Sequence, residues 1–133
     1  MLLAGGTVID VGGERRVDVL VANGVIAEVG EHLESGTAQV IDVSGLIVAP
    51  GFVDLHTHLR EPGMTEAETI ETGSRAAALG GYTAVVAMPN TDPTQDCVSV
   101  VDFVRAEGRR AGLCDVHPSA SITVGRAGER LVP

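Results

Sequence analysis

Two histidines and an arginine follow one another at alternate positions where an apolar stretch of the sequence ends. Residues 50–63 read PGFVDLHTHLREPG, which places His56, His58 and Arg60 two residues apart. Side chains on a strand alternate between its faces, so a strand here would put both imidazoles on one face, with Arg60 continuing it. Neighbouring imidazoles suit a metal ion, and a guanidinium suits an anionic group. The spacing therefore predicts a metal site beside a binding position for an anionic substrate.

The alternative explanation of this HxH pattern is chance, since the chain contains four histidines. Its place after an apolar strand and before Arg-Glu-Pro-Gly favours the metal site. The same alternation puts Asp54 on the histidine face and Thr57 on the opposite face. Asp54 then either orients an imidazole or a neighbouring strand, or is purely structural, and the pattern leaves both open. Glu61 is expected to form a salt bridge or a cap, while His32 and His117 are expected to be solvated or packed and not to be ligands.

The composition favours a folded domain and disfavours two kinds of partner. Hydrophobic residues make up 44% of the 133 residues and aromatic residues only 2%, so aliphatic side chains must build the core. The formal net charge is −9, and all nine basic residues are arginine. Nucleic acids and anionic membranes require clustered positive charge, so we expect neither as a partner. Without lysine, the chain can provide neither a Schiff base nor a carbamylated lysine that bridges metal ions.

The sequence carries no signal for export or for a membrane span. Cys97 and Cys114 do not form a disulfide framework and are expected to be reduced thiols. The apolar start of the chain lacks a basic leader and reaches Asp10 too soon for a signal peptide. No apolar run approaches the length of a membrane span. We therefore expect a soluble, cytoplasmic protein.

Residues 1–49 are predicted to form a small all-β module. Asn23-Gly24 separates two runs of β-branched residues, and Asn-Gly is the strongest short hairpin signal because both turn residues must take positive φ. The predicted strands are 2–10, 16–22, 25–30, 39–43 and 46–49. The module has neither an aromatic platform nor a basic face, so we expect its role to be structural.

Residues 50–133 alternate between strand and helix patterns. The strand that ends in the histidines is followed by helix, strand, helix and strand patterns at 65–79, 82–88, 98–111 and 115–124. A capping box of Thr65 and Glu68 is predicted to begin the first helix. This alternation predicts βαβ units and a parallel sheet, hence an α/β fold. Asn90 lies in the loop after the 82–88 strand, where it either shapes a turn or contributes to a site.

The stretches PGFVDLHTHLREPG and ETIETGSRAAALGGYTAVVAMPNTDP closely resemble the dihydroorotases of the amidohydrolase superfamily. The resemblance runs the length of the chain but covers only the N-terminal part of such an enzyme. It implies a (β/α)₈ TIM-type barrel preceded by a small β-sandwich. Residues 1–49 would belong to the composite β-sandwich module and 50–133 to the first β/α units of the barrel. Such a barrel takes about 250 residues, so we expect an incomplete barrel, the N-terminal piece of a longer protein.

The resemblance also implies roles for four residues. His56 and His58 would be ligands of the more buried zinc ion in a two-zinc site, and Arg60 and Asn90 would hold the substrate's carboxylate. The implied activity is zinc-dependent hydrolysis of a cyclic amide, interconverting L-dihydroorotate and N-carbamoyl-L-aspartate in de novo pyrimidine (UMP) biosynthesis. The metal-bridging aspartate, the catalytic aspartate and the remaining histidine ligands would lie beyond Pro133. This chain would then hold no catalytic base and would be inactive alone.

Two other functions remain open at this point. An allantoinase- or hydantoinase-type cyclic amidase would share the HxH strand, but such enzymes usually lack the arginine two residues further on. A non-catalytic dihydroorotase-like subunit that scaffolds an aspartate transcarbamoylase would tend to lose the histidine pair. His56, His58 and Arg60 are all present, which favours the active dihydroorotase. Either a homo-oligomer or an aspartate transcarbamoylase partner is compatible with the sequence.

Overall fold

Short apolar runs broken by glycine build two small sheets in the first part of the chain. The computed structural model describes all residues from Met1 to Pro133 and divides them into two units, Met1–Pro50 and Gly51–Pro133. The first unit contains β1 (Leu2–Ala4), β2 (Thr7–Asp10), β3 (Gly13–Arg16), β4 (Asp18–Ala22), β5 (Val25–Gly30), β6 (Val40–Asp42) and β7 (Ile47–Val48). These strands form a four-stranded sheet in the order β5-β4-β1-β6 and a three-stranded sheet in the order β3-β2-β7.

The first predicted strand, 2–10, is divided in two. Gly5 takes a φ of +77°, and its N–H donates to Asp18 Oδ1 at 2.8 Å, which turns the chain between β1 and β2. A Cβ at Gly5 would lie 2.5 Å from the hydroxyl oxygen of Ser44, so a larger residue does not fit without displacement. The two halves of the predicted strand consequently join different sheets.

The predicted Asn-Gly hairpin is confirmed. Asn23 and Gly24 take φ values of 52° and 77°, as a two-residue hairpin turn requires. Ala22 pairs with Val25 across the turn, and β4 and β5 run antiparallel from there. The turn thus sets the register of the pair, apart from one shift between Leu20 and Val21.

The second unit alternates strands with helices and has a parallel sheet, as predicted. Its elements are β8 (Phe52–Thr57), α1 (Ile70–Leu79), β9 (Tyr82–Ala87), α2 (Val98–Ala111), β10 (Asp115–Pro118) and a short 3₁₀ turn, Val124–Arg126. Both β8 and β10 pair with the central strand β9 in parallel. A cluster of buried side chains joins the sheet to the helices: Leu59, Ile70, Val85, Ala87, Val104 and Val116. The chain is therefore a mixed α/β protein, and its described parallel sheet has three strands.

Helix α1 begins later than the predicted start at residue 65. Its N-cap is Thr69, whose side chain accepts a hydrogen bond from Thr72 N, while Thr72 Oγ1 accepts one from Thr69 N. The predicted capping box of Thr65 and Glu68 is therefore wrong. Glu61 decides between the two threonines, because its Oε2 accepts the Ile70 N–H at 2.7 Å and so fixes the first turn. The cap expected of Glu61 is confirmed.

The last predicted strand, 115–124, is shorter in the structure. Strand β10 ends at Pro118, where Ser119 N still donates to Ala87 O at 2.9 Å before the chain leaves the sheet. Proline cannot donate to a neighbouring strand, which limits pairing at this position. Helix α2 agrees with its predicted range of 98–111. Neither helix has the length and apolarity that a membrane span requires. Cys97 and Cys114 are free thiols.

Candidate functional site

Strand β8 brings the two histidines together at its carboxyl end. The ring centroids of His56 and His58 are 5.1 Å apart, and the ring planes are inclined by 62°. His56 is exposed and His58 is half-buried, so one ring is open to solvent and the other is held by the protein. Imidazole nitrogen is a favoured ligand of zinc. The pair therefore offers two nitrogen donors on one side of the strand end.

The simple alternation predicted for β8 is wrong, because its pairing with β9 shifts register between Phe52 and Val53 and again between Asp54 and Thr57. Along β8 the register runs from Asp54 opposite Val85 to Thr57 opposite Ala87, so three residue steps face two on β9. This irregularity is a β-bulge, which re-aims the side chains that follow it. Asp54 and Thr57, predicted on opposite faces, both line the space between the sheet and α1. Neither His56 nor His58 lines this space.

Asp54 acts on the backbone of the bulge. Its Oδ1 accepts a hydrogen bond from the N–H of His56 at 2.9 Å. This N–H lies in the bulged segment, where a residue of β8 has no opposite residue on β9. The sequence left open whether Asp54 orients an imidazole or a neighbouring strand, or is purely structural. In the structure its contact is with the main chain, and it holds the backbone that carries His56.

Asn90 reaches His58 from the neighbouring loop. Its Oδ1 lies 2.7 Å from His58 Nδ1, although the two residues are 32 positions apart in the chain. An amide oxygen can only accept, so His58 Nδ1 carries a proton and donates, and in the neutral ring Nε2 keeps its lone pair. A metal-binding histidine is commonly arranged in this way, with its other ring nitrogen donating to an oxygen. Asn90 is thus more than a residue that shapes a turn.

Arg60 does not continue the strand as predicted. Strand β8 ends at Thr57, and Arg60 lies in a turn with a φ of +61°. The carbonyl oxygen of Arg60 accepts a hydrogen bond from the Met64 N–H at 2.9 Å. The guanidinium is half-buried and has no hydrogen bond or ion pair within the chain. The structure therefore leaves its donors free, and it records no contact between Arg60 and the two imidazoles.

The loop after β9 is held by a buried glutamine that no sequence pattern indicated. Gln95 has no exposed surface, and its Nε2 donates to Met88 O at 2.7 Å. Its own N–H donates to Pro89 O at 3.2 Å, and its carbonyl accepts the Ser121 N–H at 2.8 Å. A glutamine in a polar loop predicts nothing by itself. Only the burial of the side chain shows that it fixes the loop.

No three histidine, cysteine, aspartate or glutamate side chains of this chain are grouped closely enough to hold a metal ion together. His117 lies exposed on β10, and His32 is exposed in a turn with a φ of +54°. At the end of β8, the side chains that could bind a metal ion are therefore those of His56 and His58, and Asn90 lies beside them.

The family model and the curated relatives that match this chain are named for dihydroorotase. Residues 45–133 match the family described as "Dihydro-orotase-like". A dihydroorotase of Mycobacterium tuberculosis is 59% identical over 121 residues, which cover 90% of this chain and 28% of that protein. A dihydroorotase of Solibacter usitatus is 47% identical over 133 residues, covering 98% of this chain and 31% of that protein. The chain thus spans less than a third of the length of these relatives.

A crystal structure of a D-hydantoinase has a similar fold. It superimposes with a TM-score of 0.70 at 27% identity, covering 92% of this chain and 27% of the hydantoinase. The mixed α/β fold is thus one that this chain shares with an amidohydrolase. The match of residues 45–133 makes the assignment finer: the chain belongs to the dihydroorotase-like family. The family predicted from the HxH and MPNT stretches is confirmed.

Proposed function

We propose that this chain supplies the first βα units of a zinc-dependent cyclic amide hydrolase. The enzyme would interconvert L-dihydroorotate and N-carbamoyl-L-aspartate in de novo pyrimidine (UMP) biosynthesis. One observation carries the proposal: two imidazoles lie side by side at the carboxyl end of β8, and the loop of the neighbouring strand orients one of them. The carboxyl ends of parallel strands are where enzymes of barrel folds place their active sites.

The residues present fit a zinc ion. Two imidazoles are suitable donors, and the proton on His58 Nδ1 leaves Nε2 free to coordinate. When bound, zinc supplies a polarised carbonyl and a water of lowered pKa. Two donors are fewer than the three protein ligands usual at a catalytic zinc. We propose two zinc ions in the complete site, with the further ligands and the proton-transferring carboxylate coming from outside Met1–Pro133.

Two free donor groups support a substrate that carries a carboxylate. The guanidinium of Arg60 has no partner in the chain, and a planar fork of N–H groups matches a carboxylate. Asn90 uses its oxygen for His58 and retains its Nδ2 donor. We propose that these two groups bind the carboxylate of dihydroorotate. Hydantoin and allantoin carry no ring carboxylate at that position, so the free Arg60 favours dihydroorotate.

The parallel sheet supports extension into a (β/α)₈ barrel. Strand β8 lies at one edge, and three of its apolar side chains are more than half exposed: Phe52 at 62%, Val53 at 56% and Leu55 at 72%. Exposed apolar edges promote pairing with further strands. We propose that additional β/α units cover this edge and that the two sheets of Met1–Pro50 contribute to a composite β-sandwich.

Two alternatives keep specific support. The structural likeness to a D-hydantoinase fits a cyclic amidase with a different ring substrate. The presence of only two grouped donors fits a non-catalytic dihydroorotase-like subunit, which would scaffold an aspartate transcarbamoylase. Arg60 counts against the first alternative and the intact imidazole pair against the second.

A chimeric enzyme tests the proposal directly. The 121-residue segment of the M. tuberculosis relative that matches this chain would be replaced by the residues of this chain, which are 59% identical. Turnover of dihydroorotate, hydantoin and allantoin would be compared side by side. We expect turnover of dihydroorotate alone, and we expect Arg60→Met to raise its KM more than it lowers kcat. A folded, zinc-loaded chimera that hydrolyses hydantoin and not dihydroorotate would establish the alternative.

A further inference from the structure

Asn90 links two loops that follow neighbouring parallel strands. Its Oδ1 accepts a hydrogen bond from the Nδ1–H of His58, with 2.7 Å between the two heavy atoms, in a half-buried position. We infer that Asn90 is a positioning residue for His58, in addition to any contact with substrate, and that buried Gln95 keeps it in place. The consequence for metal binding rests on the proposed function; the effect on His58 itself does not.

The hydrogen bond selects one tautomer of His58. A neutral imidazole carries its proton on Nδ1 or on Nε2, and a free histidine side chain favours Nε2. With Asn90 Oδ1 as acceptor, the proton resides on Nδ1, and the Nε2 lone pair faces away from the bond. An asparagine that only shaped a turn would bond within its own loop, whereas this one bonds across 32 positions of sequence.

Gln95 fixes the main chain on the N-terminal side of Asn90. Its side-chain amide donates to Met88 O, and its own N–H donates to Pro89 O. Thr57 O in turn accepts the Met88 N–H at 2.8 Å, which ties the start of this loop to the end of β8. The Oε1 of Gln95 is buried without a partner, so the bond to Met88 is the one polar contact that its side chain makes. The loop is therefore anchored before Asn90 reaches His58.

The oxygen and the nitrogen of the Asn90 side-chain amide have different roles. Oδ1 serves His58, and Nδ2 is the donor proposed for the substrate. Asn90→Asp keeps an oxygen acceptor and loses the donor. Asn90→Ala loses both. A variant pair can therefore distinguish positioning of the imidazole from recognition of the substrate.

Nitrogen-15 NMR of the imidazoles in the metal-free 133-residue chain is the first measurement, at a pH well above the range where imidazole titrates. We expect His58 to be protonated on Nδ1 in the original chain and in Asn90→Asp, and to shift toward the Nε2 tautomer in Asn90→Ala. Thr94→Ala is the matched control, because its hydroxyl lies in the same loop and makes no hydrogen bond. Gln95→Met should give an intermediate mixture. An unchanged His58 spectrum in Asn90→Ala would overturn the inference.

Zinc titration of the same Asn90 variants in the chimeric enzyme, which supplies the further ligands proposed above, tests the consequence. Loss of a residue that hydrogen-bonds to a metal ligand typically lowers metal affinity by about 10–100-fold. We therefore expect Asn90→Ala to bind zinc more weakly by this factor and Asn90→Asp to retain its affinity. Equal zinc affinity in all variants would refute the positioning role. A tautomer shift in the 133-residue chain together with a folded chimeric enzyme that binds no zinc would uphold the effect on His58 and count against the proposed function. Asn90→Leu, which also lacks an acceptor, replaces the alanine variant if circular dichroism shows that the latter does not fold.

Discussion

Replacing Gly63 with alanine should force apart the two loops that carry Arg60 and Asn90. Gly63 has a φ of +107°, and an added Cβ would lie 2.4 Å from Asp92 O and 2.6 Å from Asp92 Cβ. The loops also share a hydrogen bond there, from Asp92 N to Pro62 O at 3.0 Å. A non-glycine residue in such a conformation costs about 1–3 kcal/mol. The steric overlap adds about 1–3 kcal/mol, as overpacking does elsewhere.

We therefore expect Gly63→Ala to lower the free energy of unfolding by about 2–6 kcal/mol, measured by urea denaturation and circular dichroism. The matched control is Gly128→Ala, since Gly128 has a φ of +79° but nothing within 4 Å of an added Cβ. The control should lose only the backbone part, about 1–3 kcal/mol. Equal losses in the two variants would refute the close approach of the two loops.

Three further changes give distinct results. The hydrogen bond from the Gly5 N–H lowers the pKa of Asp18 below its ordinary value of 3.8, so its carboxylate stabilises the fold above that pH and the stabilisation is lost as the pH falls through the lowered pKa. Asp18→Asn should therefore reduce stability at neutral pH and flatten the loss of stability in acid, as followed by denaturation across pH. Val104→Ala, at a fully buried position, should lower the free energy of unfolding by about 1.5–3 kcal/mol in urea. Asp54→Ala should lower it by about 0.5–1.5 kcal/mol and speed hydrogen exchange of the His56 amide, whereas Asp54→Asn keeps an acceptor and should restore both.

Two of these changes have a control on the surface of the chain. Asp115→Asn, which removes an exposed carboxylate, should change the unfolding free energy at neutral pH by less than about 0.5 kcal/mol. Val98→Ala removes a side chain that is 76% exposed and should change the unfolding free energy by less than about 0.5 kcal/mol. For Asp54, equal hydrogen exchange of the His56 amide in the alanine and asparagine variants would show that the carboxylate does not hold the bulge.

Local patterns predicted the elements that local chemistry determines. The Asn23-Gly24 turn and helix α2 have their signals within a few residues, and both are found at the predicted positions. The bulge in β8 was not predictable, because it is a property of the pairing with β9 and not of β8 alone. The start of α1 depended on which of two threonines a distant carboxylate would favour, and Glu61 favours Thr69 by bonding to the first turn.

In the candidate site, too, the feature with a local sequence pattern was predicted and the contacts between distant segments were not. The HxH spacing pointed to two neighbouring imidazoles, and the structure brings them together despite the bulge. The bond between Asn90 and His58 joins loops 32 positions apart, so no pattern in either loop contains it. The role of Gln95 could not be predicted, because its burial depends on tertiary packing and a glutamine in a polar loop carries no sequence pattern that indicates burial.

The most direct test of the proposed function is the zinc content of the purified chimeric enzyme, measured together with its turnover of dihydroorotate. With His56 and His58 intact, we expect two zinc ions per active site and activity that a chelator removes and zinc restores. In the double variant His56→Asn, His58→Asn, we expect at least one zinc ion and nearly all turnover to be lost. A double variant that retained both metal ions and its activity would contradict the assignment of these histidines as metal ligands.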